Sequence, residues 1–332
     1  MSPKLNRQSR VSDIAKALGV SPTAVSFALN DKPGISTKTR ERILAAIAEI
    51  NWSPHYAARA LSDGRTSTIG LVIARSPKAV GSEAFFMQFM TGMQAKLSQR
   101  GYGLLFQVAT SLERECAIYE QWADQHRVDA VAVVDLHRDD PRPRLLKELG
   151  LKAVIAGEKS SLLPSVYIDD TVVMEQMLTH LEERGHKHVT YVAGNKQLRH
   201  VSQRAQVALK RRGPKVEVEY TDYTAEQAAA AVRKQLTGTN PTAYVFDNEA
   251  LTIAGVQTLR EAGAQIGRDV AVASLEDSLT CEAMSPPITA IHRDTYRFGE
   301  AVADTLLAGE ETEPFDLSPR LIERDSTKTV FD

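Results

Sequence analysis

The sequence is poor in cysteine: two in 332 residues, Cys116 and Cys281, far apart in the chain. Two isolated thiols build neither a disulfide framework nor a multi-thiolate metal centre, so a reduced cytoplasmic protein is expected. No apolar run reaches the roughly 18 residues of a membrane span. The opening stretch MSPKLNRQSRVSD has none of the apolar core of a signal peptide. Also missing are a P-loop, a G-x-G-x-x-G turn after the first strand-like run, a G-x-S-x-G elbow and any cluster with metal-ligand spacing. The eight histidines are scattered, and His186 and His188 of HKH read as solvated surface ahead of a strand. An enzyme is therefore not expected, nor is any cofactor or metal. There is no repeat of fixed period, no low-complexity segment and no terminal leucine heptad, so no tetramerisation element is expected.

What is present is an ordinary globular composition, 43% hydrophobic and 25% charged, long enough for two or three domains. The net charge of −2 hides an asymmetry. Residues 1–65 carry ten Lys/Arg against five Asp/Glu, and the remainder carries 30 against 37. A basic head on an acidic body points the head toward a polyanion.

Periodicity gives that head a shape. In RVSDIAKALGVSPTAVSFALN, Val11, Ile14, Ala15 and Leu18 share one helical face, and Val20, Val25, Ala28 and Leu29 share another after Gly19. Gly19 suits the left-handed turn between two short helices. Ser21 is placed to cap the second helix and Pro22 to occupy its first turn. Ser36 caps a third helix whose buried stripe is Ile43, Ala46, Ile47 and Ile50. Three such helices make a helix-turn-helix, whose second helix reads the major groove with its N-terminal residues.

Thr23 can then meet a base edge and Ser26 a phosphate or base, with Ser21, Pro22, Asn30, Ser36 and Thr39 completing the candidate DNA-contacting set. Phe27 stands on the exposed side, where two roles are open. It can rest on a thymine methyl, or it can pack on Trp52 or the loop that follows.

The whole stretch from VSDIAKALGVSPTAVSFALN through ISTKTRERI to SPHYAARAL resembles, without a gap, the DNA-binding headpiece of the lactose-repressor/galactose-repressor (LacI/GalR) family. The resemblance continues through nearly all of the chain. Phe27 departs from it, since several members carry a long polar residue there, and no guanine contact is carried over. The resemblance implies a hinge helix within residues 54–66 that orders on DNA with its twin. Leu61 is its wedge in the minor groove, where unstacking a base step is offset by a bent, better-wrapped site.

Beyond Thr68 apolar strand runs alternate with helices: TIGLVIA, GLLFQVA, DAVAVVD, KAVIAG, then VYIDD opening a second half, HVTYVAG, TAYVFD and DVAVASLED. This pattern predicts two doubly wound α/β lobes with parallel sheets. The expected organisation is a helical headpiece over 1–53, a hinge over 54–66 and a body over 67–332. Its lobes would be 67–164 with 292–319, and 165–291 with the C-terminal tail.

The body resembles the family's effector-binding domain, which shares the periplasmic sugar-binding-protein fold. Ligands of such folds sit at strand ends between lobes. The resemblance implies effector contacts at Phe85 and Phe86 (SEAFF), Arg204 (GNKQLRHVSQR) and Tyr223 as a stacking ring (TDYTAEQ). It adds Asn248 and Glu249 (FDNEAL), and Glu276 and Asp277 (SLEDS). Glu249 and Glu276 stand where the family has aspartate, the Asn-Pro before Phe85 is missing, and so is the glycine that usually follows Arg204. Carboxylates, amides, a guanidinium and ring faces suit a polyol.

The expectation is a homodimeric, cytoplasmic repressor of carbohydrate genes that binds a pseudo-palindromic DNA operator and answers to a sugar or polyol. A nucleoside or purine effector is the alternative. A sugar-uptake binding protein shares the body fold but has no use for a helix-turn-helix.

Overall fold

In the computed structural model, residues 9–52, 64–308 and 317–328 are described. The chain forms two compact units, residues 1–66 and 67–332.

In the first unit, helices α1 (Val11–Leu18), α2 (Pro22–Leu29) and α3 (Thr37–Glu49) follow the sequence pattern closely. Gly19 turns the chain at φ 64°. The Ser21 hydroxyl accepts the Ala24 N–H at 3.1 Å and the Ser36 hydroxyl the Thr39 N–H at 3.2 Å, so both capping serines hold helix starts. Helices of eight residues are unstable alone in water, and a shared core fixes them: Ile14, Ala15, Val25, Ala28, Ile43, Ile47 and Trp52. The expected hinge lies mostly within residues 53–63, and with it Leu61 lies outside the described residues.

The second unit has two lobes. The first is built from β1 (Thr68–Ala74), α4 (Pro77–Ser82), α5 (Ala84–Gln99), β2 (Gly103–Ala109), α6 (Leu112–Asp124), β3 (Ala130–Val133), α7 (Arg142–Glu148), β4 (Lys152–Gly157) and β5 (Ser165–Tyr167). Its sheet is parallel throughout, in the order β2-β1-β3-β4-β5. Alternation along β1 sorts its side chains. Ile69, Leu71 and Ile73 pack with Phe86 and Phe89, while Val72 meets Tyr119 and Trp122 on the other face.

The second lobe holds α8 (Asp170–Glu183), β6 (His188–Ala193), α9 (Arg199–Lys210), β7 (Lys215–Tyr220), α10 (Ala225–Thr237), β8 (Ala243–Phe246), α11 (Glu249–Glu261), β9 (Ala271–Ser274), α12 (Leu279–Ala283), β10 (Thr289–His292) and β11 (Arg320–Ile322). Its strand order is β11-β10-β9-β8-β6-β7, parallel except for the antiparallel edge strand β11.

The chain passes between lobes three times: after β5, after β10 and ahead of β11. Helix α13 (Thr295–Ala308) returns to the first lobe, where Phe298, Val302 and Leu306 join its core. Two expectations need correction. The segment read as opening the second lobe is β5, which pairs with β4, because Ile155↔Ser165 register completes the first sheet before the chain crosses. His186, read as solvated, is buried with Nδ1 3.0 Å from the Thr242 hydroxyl, whereas His188 is exposed.

Candidate functional site

The strands of both lobes end at a shared cleft. It holds about 710 Å³ of space between protein atoms, open solvent at its mouth included. Residues just past strand ends line it: Arg75 after β1, Asp135 after β3, Glu158 after β4, Asp247 and Asn248 after β8, and Glu276 after β9. Phe85 comes from the first turn of α5, Asp170 from that of α8, Arg204 from α9 and Arg293 from the crossing to α13.

Arg75 organises the first-lobe wall. Its guanidinium donates to Asp135 at 2.6 and 2.9 Å and to Glu83 at 2.9 and 3.0 Å. It lies 5.2 Å from the ring centroid of Phe86 and 4.4 Å from that of Tyr223. Arg75 thus meets an aromatic ring of each lobe. Both Asp135 (φ 53°) and Tyr223 (φ 67°) occupy the left-handed region, where non-glycine residues are uncommon and functional sites concentrate.

Arg204 organises the second-lobe wall. Nε donates to Asp170 at 2.8 Å, Nη2 also reaches that carboxylate, and Nη1 donates to Asp247 at 2.8 Å. Tyr191 and Tyr223 hydroxyls both donate to Asp247, the latter at 2.8 Å. Burial by itself would raise the Asp247 carboxyl, but Arg204, His200 and these hydroxyls outweigh it and bring it down to about 2. Gly194 makes room for the tyrosine: a Cβ there would stand 2.0 Å from the Tyr223 ring.

Other groups are less satisfied. Glu158 is buried and 3.0 Å from Arg199, with the His200 backbone N–H nearby, yet neither oxygen makes a well-formed hydrogen bond. Burial pushes its pKa up to about 7, Arg199 only partly opposing. Glu83 is likewise pushed up to about 7, by burial and by Glu276 and Asp135 nearby, against the pull of Arg75. Burial also raises Glu276, whose carboxylate accepts no hydrogen bond among the described residues. The Asn248 side chain caps α11 through Oδ1 at 3.0 Å from Leu251 N, while its buried Nδ2 has no partner among the described residues.

The cleft therefore brings together Phe85, Arg204, Tyr223, Asn248 and Glu276 of the residues that the sequence singled out. Three others fall elsewhere. Phe86 is 1% exposed and belongs to the first-lobe core, because its neighbour Phe85 takes the cleft side of the same helical turn. Asp277 faces away from Glu276 and binds Arg324 at 2.7 and 3.2 Å. Glu249 is half-buried in the first turn of α11 and does not line the cleft. The ring of Tyr223, expected to stack on a ligand, is covered on one face by Arg75. Arg75, Glu83, Asp135, Glu158, Asp170, His200, Asp247 and Arg293 were not anticipated. A polar residue just after each apolar strand run was the available signal.

On the headpiece, Ser21, Pro22 and Thr23 are exposed at the start of α2, with Ser26 and Asn30 half-buried beyond them. The Ser36 and Thr39 hydroxyls bond each other at 2.8 Å. Phe27 is half-buried, its ring against Gly34, where a Cβ would come within 2.7 Å. Arg40 ties the loop down by donating to Phe27 O at 3.0 Å and Lys32 O at 2.6 Å. The phenylalanine rests on the loop, so it is less open than its helix position suggested.

Two family models match the chain. Residues 10–55 match bacterial regulatory proteins of the lacI family, and residues 178–327 match a periplasmic binding protein-like domain. The HTH-type transcriptional regulator CelR of Thermobifida fusca is 30% identical over 325 residues, covering 94% of this chain and 95% of CelR. The HTH-type transcriptional repressor PurR of Vibrio atlanticus is 26% identical, covering 96% and 99%. A solved CelR–cellobiose complex superposes with a TM-score of 0.70 at 29% identity, covering 96% of this chain and all of that one. No helix among the described residues is long and apolar enough to cross a membrane.

Proposed function

This chain belongs to the lacI family of bacterial regulatory proteins and is a DNA-binding transcriptional regulator, and on that premise we propose that it represses genes of carbohydrate uptake or catabolism under the control of a sugar or polyol. The observation that carries the effector part is the cleft itself. Polar groups of both lobes converge there, including a buried Asn248 donor without a partner among the described residues and two carboxylates, Glu158 and Glu276, without well-formed hydrogen bonds among them. Hydroxyl groups of a sugar satisfy both kinds of group at once. An effector contacting both lobes favours one lobe arrangement over another, and only that difference in affinity shifts DNA binding.

The headpiece acts as one half of a homodimer in the cytoplasm. Two copies of α2 enter successive major grooves of a pseudo-palindrome, with Leu61 as the minor-groove wedge. Recognition comes from Thr23, Ser26 and Phe27, with phosphate contacts around Ser21, Ser36 and Thr39. The chain is proposed not to be an enzyme; the relatives it matches are regulators.

A purine effector, the alternative that the PurR relative suggests, fits less well. A flat heterocycle needs free ring faces, and Arg75 covers one face of Tyr223.

The test is a footprint of the full chain on DNA upstream of its own gene, repeated with a panel of sugars, polyols and purines. Protection of a two-fold symmetric site, altered by a sugar and not by purines, is expected. Asymmetric or absent protection would reject the operator reading, and a response to purines alone would reject the sugar reading.

A further inference from the structure

Apart from the three crossings, the lobes meet backbone to backbone at one edge of the cleft. Residues 136–138, in the loop after β3, run antiparallel to residues 197–199, which lead into α9, and His137 stands opposite Leu198. The Arg199 N–H donates to Leu136 O at 2.8 Å and the Arg138 N–H to Gln197 O at 3.2 Å. The Arg138 guanidinium donates to the Ser202 hydroxyl at 3.3 Å, and Arg199 pairs with the buried Glu158 at 3.0 Å. Each of these bonds joins the first lobe to the second. Leu136, Glu158 and His200 also line the cleft, so this seam and the ligand space share a wall.

Both halves of the seam are held in shape from behind. On the first lobe the buried Arg142, paired with Glu115 and Asp140, donates to Val134 O at 3.0 Å and Asp135 O at 2.7 Å. The Asp140 carboxylate accepts the His137 N–H at 2.8 Å. On the second lobe Asn195 accepts the Leu198 N–H through its carbonyl at 3.0 Å and the Gln197 N–H through its side chain at 2.9 Å. Edges fixed in advance lose little freedom when they meet. Arg199 is also the first residue of α9, where a helix has no acceptor of its own for the N–H. Its acceptor comes from the other lobe.

We propose that this seam is a clasp that holds the lobes closed in the ligand-free protein, and that the effector acts by loosening it through Glu158. The proposal rests on the effector reading above and supplies its route to the lobes. An effector that only fitted a body already closed would shift nothing; it must favour another arrangement. Glu158 is the residue common to clasp and cleft. A ligand hydroxyl bonded to its carboxylate competes with Arg199 for the same oxygens.

The first test needs neither DNA nor ligand: amide hydrogen exchange of the full chain at residue resolution. The Arg138 and Arg199 amides should exchange at least about tenfold slower than in an unstructured peptide. Arg199→Pro removes the donor and the partner of Glu158, and sets a ring carbon where Leu136 O stands. Proline suits the first position of a helix, and Leu198 before it is already extended (φ −74°, ψ 133°). In this variant the Arg138 amide should lose its protection while the Ala205 amide inside α9 keeps its own. Free exchange at both amides of the parent overturns the clasp, as does undiminished Arg138 protection in the variant. Should Arg199→Pro not fold, His137→Cys/Leu198→Cys takes its place. Antiparallel partners of this kind have Cα atoms about 4.5 Å apart, within disulfide reach. Ready oxidation of the ligand-free chain to the cross-lobe disulfide is expected, and failure to form it overturns the clasp.

The second test uses the DNA site that the footprint identifies. Without sugar, the oxidised cysteine pair should bind it within about threefold of the reduced form, because the lobes are already clasped. Arg199→Pro should change the affinity by about tenfold or more, in the direction in which a responding sugar changes the parent, and leave little for that sugar to add. Parental affinity in folded Arg199→Pro, a shift opposite to that of the sugar, or a full sugar response on top of it overturns the proposal. If no sugar acts on the parent while the exchange and DNA results hold, the polyol reading fails and the clasp stands.

Discussion

The guanidinium of Arg75, at the end of the first strand of one lobe, lies 4.4 Å from the ring centroid of Tyr223 in the other. The same guanidinium holds Glu83 and Asp135, and the same tyrosine donates its hydroxyl to Asp247. One contact thus joins the ion cluster of the first lobe to that of the second. Arg204 completes the second cluster through Asp170 and Asp247.

Arg75→Ala should be costly to the fold. Removing one partner of a buried ion cluster leaves uncompensated charge, typically about 3–5 kcal/mol. Urea melts of the body should show that loss. Glu83→Gln combined with Arg75→Ala should recover part of it, because one orphaned charge is removed. A melt of Arg75→Ala that overlays the parent would show the cluster to be energetically idle.

Arg204→Ala should behave as a stability variant before it behaves as an effector variant. From sequence, an effector-facing arginine loses response and keeps DNA binding. The structure buries it between two aspartates, so its removal is expected to destabilise the body by about 3–5 kcal/mol and to weaken dimer-dependent operator affinity as well. Glu276→Gln is the cleaner effector variant. It should keep the melting temperature and operator affinity while losing about 1–3 kcal/mol for the sugar identified by the panel. Operator binding by Arg204→Ala at parental strength and stability would contradict the first expectation, and unchanged sugar affinity in Glu276→Gln the second.

Glu158 should leave a signature in pH. Its pKa is raised from the ordinary 4.5 to about 7 in the folded chain. Between those values the folded chain keeps a proton that the unfolded chain has released, so this group's contribution to stability falls as pH rises through the window and levels off above it. His186 works the other way. Burial lowers it from 6.5 to about 4, so the unfolded chain takes up the proton first and stability rises with pH over that range. The two are separated by difference: the melting temperature of Glu158→Gln minus that of the parent should grow from pH 5 to pH 7 and then flatten. A difference that is level across the range would show Glu158 ionising as an ordinary carboxylate.

Phe27→Ala should weaken specific operator binding by roughly 1–3 kcal/mol and relax the preference at one symmetric base pair, if its exposed edge rests on a thymine methyl. Because the other side of the ring packs on Gly34, the variant also loosens the loop that Arg40 fastens. Phe27→Leu preserves most of that packing and separates the roles. Base preferences measured on a randomised half-site should change in the alanine variant with headpiece helicity retained. Unchanged preferences at every position would assign Phe27 to packing alone.

Much of this protein was determined locally and could be read along the chain. The headpiece helices depend on short-range physics: Gly19 turns left-handed, Ser21 and Ser36 cap, and the i, i+3, i+4 stripes of Ile14, Val25, Ile43 and Ile47 supply one small core. The buried strands of the body were legible for the same reason, as apolar runs bounded by turns. The strand Lys215–Tyr220 was less so, since it is an edge strand whose alternation carries Glu217 and Glu219.

The cleft was decided by tertiary structure. Arg75, Asp135, Asp170, Arg204 and Asp247 are widely spaced in sequence and meet only because two parallel sheets end on one side and the chain crosses between lobes three times. Which of two adjacent candidates faces the ligand space was also settled there. Phe85 looks into the cleft and Phe86 into the core, Glu276 into the cleft and Asp277 toward Arg324, because neighbouring side chains leave the backbone in different directions. Sequence names the residue types that a polyol site requires. Whether an arginine is free for a ligand or already bound by its own carboxylates depends on distances of about 3 Å across the fold, and no local pattern encodes them.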